Sequence, residues 1–366
     1  MSRITVDIDL NRVEGDLEFQ VDLEDGVVVD ARCVGTLYRG FEQIMIGRAP
    51  RDALVITPRV CGICGTAHLY AATLALEQIA HITPPAHAVQ VRNLCLMAET
   101  LQSDLRQSFL FFTPDFCNAN YAAHPLAAEL RDAFTPLKGS VVRGTLKATR
   151  DVLGIVALFG GQWPHSTYML PGGISQPANS RRILDSRGIL AAVRAWFEQA
   201  VIGGRLEEWM ALDSADALFR WQAAEGSRER SALGLFNRFG RDIGLHRLGR
   251  GTGHLLSYGV NPQPLGEARE LPAGFFNADT QQIETLDQSQ INEHVRHSWF
   301  LDYPGGRHPW EGETIPDHQP GSDRYTWAKA PRYGDKVVQT GPLAELRIAG
   351  DPLISDLLAR EGDNTW

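Results

Sequence analysis

Apolar positions near the start of the chain alternate with polar ones, as they do in half-buried β-strands. Residues 4–10 alternate isoleucine, valine and leucine with polar side chains, and residues 17–23 repeat the alternation. A third β-rich run covers residues 27–34, directly after the turn sequence Glu-Asp-Gly. These three runs predict a small antiparallel sheet at the start of the chain.

Farther along, apolar residues recur at spacings of three and four, as on one face of an α-helix. This spacing at residues 91–109 predicts a long helix that Pro114 ends. Residues 142–156 predict a second long helix, which the glycine pair at 160–161 ends, and residues 183–206 predict a third. Because the first two helices have similar apolar faces, we expect a helix-bundle core.

The composition of the sequence changes at about residue 226. Gly, Pro, Arg and aromatic residues become frequent there, and the regular spacing of apolar residues is lost. Residues 226–345 therefore predict short strands and ordered loops over the bundle. The fold class that we predict is α+β, mainly α, with a long-helix bundle core, a small N-terminal antiparallel sheet and a loop-rich C-terminal half. We expect a single domain over residues 1–366, comprising the sheet and first motifs (1–60), a helical core (61–225) and a loop-rich cover that is incomplete at its C-terminal end (226–366).

Composition excludes several classes of protein. The chain has 366 residues, of which 43% are hydrophobic and 22% charged, enough for a large core. Its net charge is −9, and no basic block suggests nucleic-acid binding. The sequence contains no run of about 18 apolar residues, so it predicts no membrane span. The first residues resemble a strand rather than a secretory signal. We expect a cytoplasmic protein, which partners could attach to a membrane.

Five cysteines occur, and this low, odd count favours a reducing compartment or metal chemistry over a disulfide framework. Cys61 and Cys64 lie within Arg-Val-Cys-Gly-Ile-Cys-Gly-Thr-Ala-His at residues 59–68. Two thiols at this spacing can face one ion, and the glycines let the backbone turn around it. The pair alone fits a redox couple, half of a zinc site or another metal site. Cys33 and Cys95 are expected to be buried, inert thiols.

The segment around the cysteine pair resembles the first cysteine signature of [NiFe]-hydrogenase large subunits. Further motifs resemble the family in the same order: Asn-Arg-Val-Glu-Gly (11–15), Leu-Tyr-Arg-Gly-Phe-Glu (37–42), Gln-Ser-Asp-Leu-Arg (102–106), Gly-Gly-Gln-Trp-Pro-His (160–165), Tyr-Thr-Trp-Ala-Lys-Ala-Pro-Arg-Tyr (325–333) and Val-Gln-Thr-Gly-Pro-Leu-Ala (338–344). The fourth and fifth motifs are most similar to the cyanobacterial-type uptake and H2-sensing subgroup. The resemblance implies the large-subunit fold and heterolytic cleavage of H2.

The resemblance also implies a nickel–iron centre whose iron carries CO and cyanide. Cys61 would be a terminal nickel ligand and Cys64 would bridge nickel and iron, since thiolates are soft donors that can bridge two metals. His68 would donate a hydrogen bond to the bridging sulfur. Glu42 would bind a structural divalent ion, usually magnesium, which prefers carboxylate oxygen. Without the motifs, His68 would be interpreted as a helix histidine bonded to a carbonyl and Glu42 as a solvated carboxylate.

Further residues would bind the cofactor or move protons. Pro331 and Arg332 would lie at the centre, with the guanidinium over the open metal position and near a cyanide ligand. Because a guanidinium is a poor base in water, its role as proton acceptor requires that the metal acidify H2. Asp104 would pair with Arg332, and Glu14 would accept protons from a nickel thiolate. Without the motifs, these would be a loop arginine, a solvated helix aspartate and an exposed turn glutamate.

The sequence departs from the family pattern near its end. Residues 351–356 are Asp-Pro-Leu-Ile-Ser-Asp, whereas the family has Asp-Pro-Cys-x-x-Cys and a terminal histidine. No cysteine follows Cys117, so half of the expected nickel thiolates are missing. A second polypeptide could carry them, the product could be truncated, or the chain could be a catalytically silent paralogue that scaffolds cofactor assembly or serves an H2 sensor. The first-half site residues are all present, which favours the first two interpretations.

Two partners follow from these expectations. Two electrons leave with each H2, and the cysteines besides Cys61 and Cys64 are too few for an all-cysteine iron–sulfur cluster. We therefore predict an iron–sulfur small subunit that contacts a large apolar surface near the N-terminal sheet and the Cys61 loop. The second expected partner is the polypeptide with the missing Cys-x-x-Cys pair. A thiol-redox protein that uses Cys61 and Cys64 is the alternative from a different class.

Overall fold

The computed structural model describes residues 3–10, 13, 15–249, 251–264, 268–319 and 323–361. Helices account for about 49% of the chain, accompanied by small antiparallel sheets, which confirms the predicted mainly α fold. The chain forms two compact units. Unit 1 comprises Met1–Arg48 and Thr285–Val338, and unit 2 comprises Ala49–Glu284 and Gln339–Trp366.

The elements are as follows, in chain order. The strands are β1 (Arg3–Leu10), β2 (Leu17–Glu24), β3 (Val27–Gly35), β4 (Met169–Leu170), β5 (Gly173–Ile174), β6 (Leu255–Ser257), β7 (Val260–Pro262), β8 (Arg269–Leu271), β9 (Gly274–Asn277), β10 (Gln282–Glu284), β11 (Ile291–His294) and β12 (Ala330–Tyr333). The helices are α1 (Phe41–Met45), α2 (Ala53–Ile56), α3 (Gly65–Ala80), α4 (Ala86–Arg106), α5 (Ala127–Phe134), α6 (Ser140–Gly160), α7 (Ser180–Trp196), α8 (Leu206–Met210), α9 (Ala215–Ala223), α10 (Gly226–Glu229), α11 (Ala232–Asp242), α12 (Pro342–Ala349) and α13 (Pro352–Glu361).

The N-terminal sheet of unit 1 has the predicted strands, antiparallel in the order β1-β2-β3. Its polar face centres on Asp22, which accepts hydrogen bonds from the Thr5 hydroxyl at 2.6 Å and the Arg3 guanidinium at 2.9 Å. These bonds, the Thr5 bond most of all, hold the pKa of Asp22 below its usual value. On the other face, an apolar row on β1 is exposed to solvent: Ile4, Val6, Ile8 and Leu10.

An aromatic cluster in unit 1 connects two of the sequence motifs. Tyr38 stacks on Trp327 with ring centroids 4.4 Å apart, and Phe300 packs edge-on against both rings. The backbone reinforces this contact, because the amide of Trp327 donates to the carbonyl of Gly35 at 2.8 Å. The segment that begins at Tyr38 is therefore fixed against the segment that leads into β12.

The helical core of unit 2 is built on α4 and α6, which pack against each other as predicted. Pro85 precedes α4, and Gly161 ends α6 in a left-handed conformation with φ of 79°. After Arg106 the chain continues as a π-helical turn and a short 3-10 helix rather than stopping at once at Pro114. The side chains buried most completely in this core include Cys95, Leu130, Phe134, Val152, Ile155 and Val156.

Two predictions about helices were wrong. The third predicted helix does not reach residue 206, because a π-helical turn follows Trp196 and the chain turns at Gly203 with φ of 70°. A Cβ at Gly203 would lie 2.5 Å from the carbonyl oxygen of Ser227, so the turn requires glycine. Residues 226–345 were also expected to be strands and loops, yet α11 forms there, with the Ser231 hydroxyl capping its start.

A buried ion pair joins α3 to α4. The Arg92 guanidinium, 1% exposed, donates to both carboxylate oxygens of Glu77 at 2.8 and 3.2 Å. It also donates to the carbonyl oxygens of Leu170 and Gly173, each at 2.7 Å. Arg92 on α4 therefore fixes both the later part of α3 and the β4–β5 hairpin. No helix in the described residues is long and apolar enough to cross a membrane.

Replacing Glu77 by alanine should destabilise the protein strongly. The substitution leaves the Arg92 charge buried without its carboxylate, which costs roughly 3–5 kcal/mol in the free energy of unfolding. The matched control is Lys147→Ala, which breaks an exposed ion pair with Asp151 on α6 and should cost about 0–1 kcal/mol. Denaturant unfolding followed by circular dichroism measures both variants. Equal losses would show that the buried pair contributes no more than the exposed one.

Candidate metal centre

The cysteine pair lies in a tight loop between the short helix Thr57–Arg59 and α3. The backbone amides of Ile63 and Cys64 donate to the Cys61 sulfur at 3.4 and 3.2 Å. The Cys64 thiol also forms a hydrogen bond with the Cys61 sulfur, and both side chains are half-buried. The two sulfurs are therefore side by side, as the Cys-x-x-Cys spacing predicts.

The electrostatics around Cys64 favour the neutral thiol when no cation is present. Burial, helped by the hydrogen bond to Cys61 and by the charges of Cys61 and Glu99, raises the pKa of Cys64 to about 12. A bound metal cation reverses this preference, because it stabilises the thiolate directly. Cation binding at the pair must therefore displace a proton from Cys64.

Glu99 is a site residue that the sequence did not reveal. It lies on α4 and is 5% exposed. Its carboxylate accepts hydrogen bonds from the amides of Thr66 and Ala67, both at 3.1 Å, and from the Trp163 indole at 3.3 Å. The first two donors belong to the first turn of α3, directly after Cys64. The available signal was an acidic residue on the buried face of a helix, where a charge requires specific partners.

The motif at residues 160–165 also packs against the cysteine loop. The Nδ1–H of His165 donates to the carbonyl oxygen of Pro58 at 2.9 Å, three residues before Cys61. The same carbonyl lies 2.9 Å from where a Cβ at Gly65 would be, so a larger residue there would push the two segments apart. The glycine after Cys64 is thus required by the close approach of the chain.

His68 and Asp104 lie in the same unit as the cysteine pair. His68 is half-buried on α3, and its carbonyl oxygen accepts a hydrogen bond from the Thr57 hydroxyl at 3.2 Å. Asp104, on α4, keeps much of its surface exposed, yet the protein around its carboxylate removes water and raises its pKa. Burial and the Asp104 charge likewise raise the pKa of Glu345 on α12, so the two carboxyl groups are neighbours.

Arg332, Pro331 and Glu42 lie in unit 1. Arg332 is on β12 opposite Asn292, and its guanidinium donates to the carbonyl oxygen of Pro331 at 2.7 Å. Together with Arg296 and Lys329, among others, it lines a cavity of about 560 Å³. Glu42 is exposed in the first turn of α1, where its charge adds to burial in raising the pKa of Tyr38.

Cys33 and Cys95 differ in their exposure to solvent. Cys95 is fully buried, as expected, and burial raises its pKa to about 12. Cys33 was expected to be buried but is exposed, because its position on β3 faces the solvent-exposed side of the sheet. Glu14 lies outside the described residues. In the described part of the chain, no group of at least three His, Cys, Asp or Glu side chains is placed to hold a metal ion.

The arrangement defines a helical protein with a half-buried thiol pair suited to a soft metal. Comparison with known proteins shows which family this is. Residues 39–135 and 241–351, more than half of the chain, match the family described as nickel-dependent hydrogenase. The chain therefore belongs to the nickel-dependent hydrogenase family.

Individual relatives agree with this assignment. The chain is 29% identical to the periplasmic [NiFeSe] hydrogenase large subunit of Desulfomicrobium baculatum, over 98% of this chain and 68% of the relative. It is 27% identical to the hydrogenase-2 large chain of Escherichia coli, over 94% of this chain and 67% of that one. The solved Ni-Fe-Se hydrogenase from D. vulgaris Hildenborough superposes with a TM-score of 0.76 at 28% identity, covering 98% of this chain and 71% of that chain. The chain thus spans about two thirds of these relatives.

In the metal-free protein, the Cys64 thiol should react slowly with iodoacetamide at neutral pH. Only the thiolate reacts, and the pKa of about 12 leaves little thiolate there. Below that pKa, the rate should rise about tenfold per pH unit. Peptide mass spectrometry measures the rate, with the urea-unfolded chain as control, because unfolding restores the ordinary pKa. A Cys64 that reacts as fast folded as unfolded at neutral pH would contradict this prediction.

Proposed function

We propose that this chain is the metal-binding part of a [NiFe]-hydrogenase large subunit, which cleaves H2 heterolytically into protons and electrons. The observation that carries the proposal is the half-buried Cys61–Cys64 pair within a family-matched region of the chain. A thiol-redox role would use the same two sulfurs, but it explains neither the family match nor the collinear motifs. The motif forms at residues 160–165 and 325–333 support the cyanobacterial-type uptake or H2-sensing subgroup.

Cys61 and Cys64 would hold the nickel–iron centre, with Cys64 between the two metals. The donor set fits, because two adjacent soft sulfurs are available and two backbone amides already point at one of them. When bound, the centre supplies a soft Lewis acid that polarises H2, and its iron would carry CO and cyanide. Glu42 would bind magnesium through a carboxylate that is exposed and available.

The residues around the centre would position ligands and move protons. Arg332 has a planar guanidinium beside a cavity, which suits donation to a cyanide ligand and electrostatic assistance to H2 cleavage. Asp104 would pair with Arg332 and fix its direction, while His68 would donate to the Cys64 sulfur. Glu14 would accept the proton from a nickel thiolate. Pro331 would restrict the backbone that carries the guanidinium.

Two further thiolates would come from outside these residues. Within the described residues, the Cys61–Cys64 pair has no third or fourth ligand beside it. We propose that a further Cys-x-x-Cys pair and a histidine, supplied from outside these residues, would complete the nickel and magnesium sites. The alternative is the silent paralogue described above, which would hold no nickel in any complex.

An iron–sulfur small subunit would take the electrons. The exposed apolar row on β1 supports such an interface, because contiguous apolar surface in a globular protein commonly marks a contact with a partner. The cysteine count still predicts a reducing, cytoplasmic location. That location remains a prediction, since one relative is named periplasmic.

The metal site can be tested by removing one thiol at a time. Cys61→Ser and Cys64→Ser should each abolish nickel in the assembled complex and H2-dependent dye reduction, because a hydroxyl is a hard, weakly acidic donor. Cys117→Ser is the matched control and should retain both properties, because a serine hydroxyl can still donate to the carbonyl oxygen of Leu130. Elemental analysis and dye reduction would be measured on the chain alone and co-expressed with its genomic neighbours.

The possible results separate the interpretations. If nickel is found only in the co-expressed wild type, the proposal is supported. Stoichiometric nickel in residues 1–366 alone would show that the site needs no further thiolates. Absence of nickel under every condition would identify the silent paralogue.

Arg332→Lys should leave the metals bound but lower H2 turnover by roughly a hundredfold, because lysine lacks the planar fork of donors. Arg296→Lys is the matched control, since Arg296 is an exposed arginine that lines the same cavity. Turnover is measured by dye reduction and normalised to nickel content. Near-normal turnover in Arg332→Lys would show that this arginine does not act at the centre.

A further inference from the structure

The cysteine loop is held from both sides by side chains that belong to other elements. Before Cys61, the imidazole of His165 donates a hydrogen bond to the carbonyl oxygen of Pro58. After Cys64, the Glu99 carboxylate accepts hydrogen bonds from two amides in the first turn of α3. These outside contacts add to the hydrogen bonds within the loop, where the amides of Ile63 and Cys64 donate to the Cys61 sulfur.

Three N–H groups donate to the Glu99 carboxylate. We call this group the Glu99 junction, and it consists of Thr66, Ala67, Glu99 and Trp163. One oxygen accepts from Thr66 and from the Trp163 indole, and the other accepts from Ala67. The positive end of α3 and the three N–H donors compensate the buried charge. The junction is therefore a rigid link between α4, α3 and the motif at 160–165.

We propose that Glu99 is a positioning residue for the metal site: it fixes the start of α3 and thereby sets the direction of the Cys64 sulfur. Thr66 and Ala67 follow Cys64 by two and three residues, and Gly65 is already packed against Pro58. A shift of the first turn of α3 therefore has to move Cys64. The inference rests on the proposed function, because it concerns the geometry that Cys64 offers to nickel.

Two substitutions separate the length of the side chain from its charge. Glu99→Asp keeps the charge but is one methylene shorter, so its carboxylate cannot reach the α3 amides with the same geometry. Glu99→Gln keeps the length, but its NH2 group faces an N–H donor, so one hydrogen bond is lost. Trp163→Phe removes only the indole donor and should act in the same direction with a smaller effect. Val152→Ala, in the same core on α6, controls for general loss of stability.

The first measurement is amide hydrogen exchange of the metal-free chain. Exchange at both Thr66 and Ala67 should become about tenfold faster in Glu99→Asp, because these amides lose their acceptor. In Glu99→Gln the same increase is expected only at the amide that faces the NH2 group, because the remaining amide oxygen still accepts a hydrogen bond. The Val152→Ala control should show no selective change there. Unchanged exchange at the two amides would show that Glu99 does not hold the turn in solution.

The second measurement uses the assembled complex. Nickel affinity, from competition with a chelator, should fall roughly 10–100-fold in Glu99→Asp, as is usual when a group that orients a metal ligand is lost. The thiolate-to-nickel charge-transfer absorption should also shift in position, whereas a mere loss of stability would only reduce its intensity. Val152→Ala should retain the wild-type affinity and band position.

The outcomes distinguish this inference from the proposed function. A wild-type complex without nickel would overturn the proposed function and this inference with it. A nickel-loaded wild type whose Glu99 variants keep the same affinity and band position would overturn the positioning role alone, leaving Glu99 as a residue that only caps α3.

Discussion

The interior of unit 2 depends on one constraint: two charged residues on the buried side of α4 must find partners where water cannot reach them. The Arg92 charge is paired with Glu77 near the far end of α3, and the Glu99 charge is bound by the amides at the start of α3. An unpaired charge in this position would cost several kcal/mol, so breaking either contact is costly. Helix α3 is consequently attached to α4 at both of its ends. The Cys61–Cys64 pair directly precedes α3, so these contacts also restrain the position of the pair.

Much of the fold followed from local pattern. The three N-terminal strands were predictable because a period of two requires only neighbouring residues, and α4 and α6 because their apolar positions recur every three to four residues. The two failures have different causes. Helix α11 was missed because Gly234 and Gly240 weaken helix propensity within it. The early end of the third helix depends on the contact of Gly203 with Ser227, which no spacing reveals.

The candidate site was predictable only in part. Cys61 and Cys64 were found because a spacing of three residues, with glycines that allow a tight turn, lets two thiols face one ion. Glu99 was not, because its hydrogen bonds join residues 33 positions apart and exist only after α3 and α4 pack. The exposure of Cys33 was also unpredictable, since alternation assigns a residue to a face of the sheet but does not say which face is covered.

The uncovered apolar row on β1 has a consequence for handling the protein. Among the residues that the structure describes, β1 is an edge strand of the N-terminal sheet, and its outer backbone groups have no neighbouring strand. Apolar side chains beside an open edge are a template on which a further strand can add, which is how β-sheet aggregation begins. Preparations of the isolated chain should therefore lose monomer with rising concentration, and a lysine placed at Val6 on that row should slow the loss.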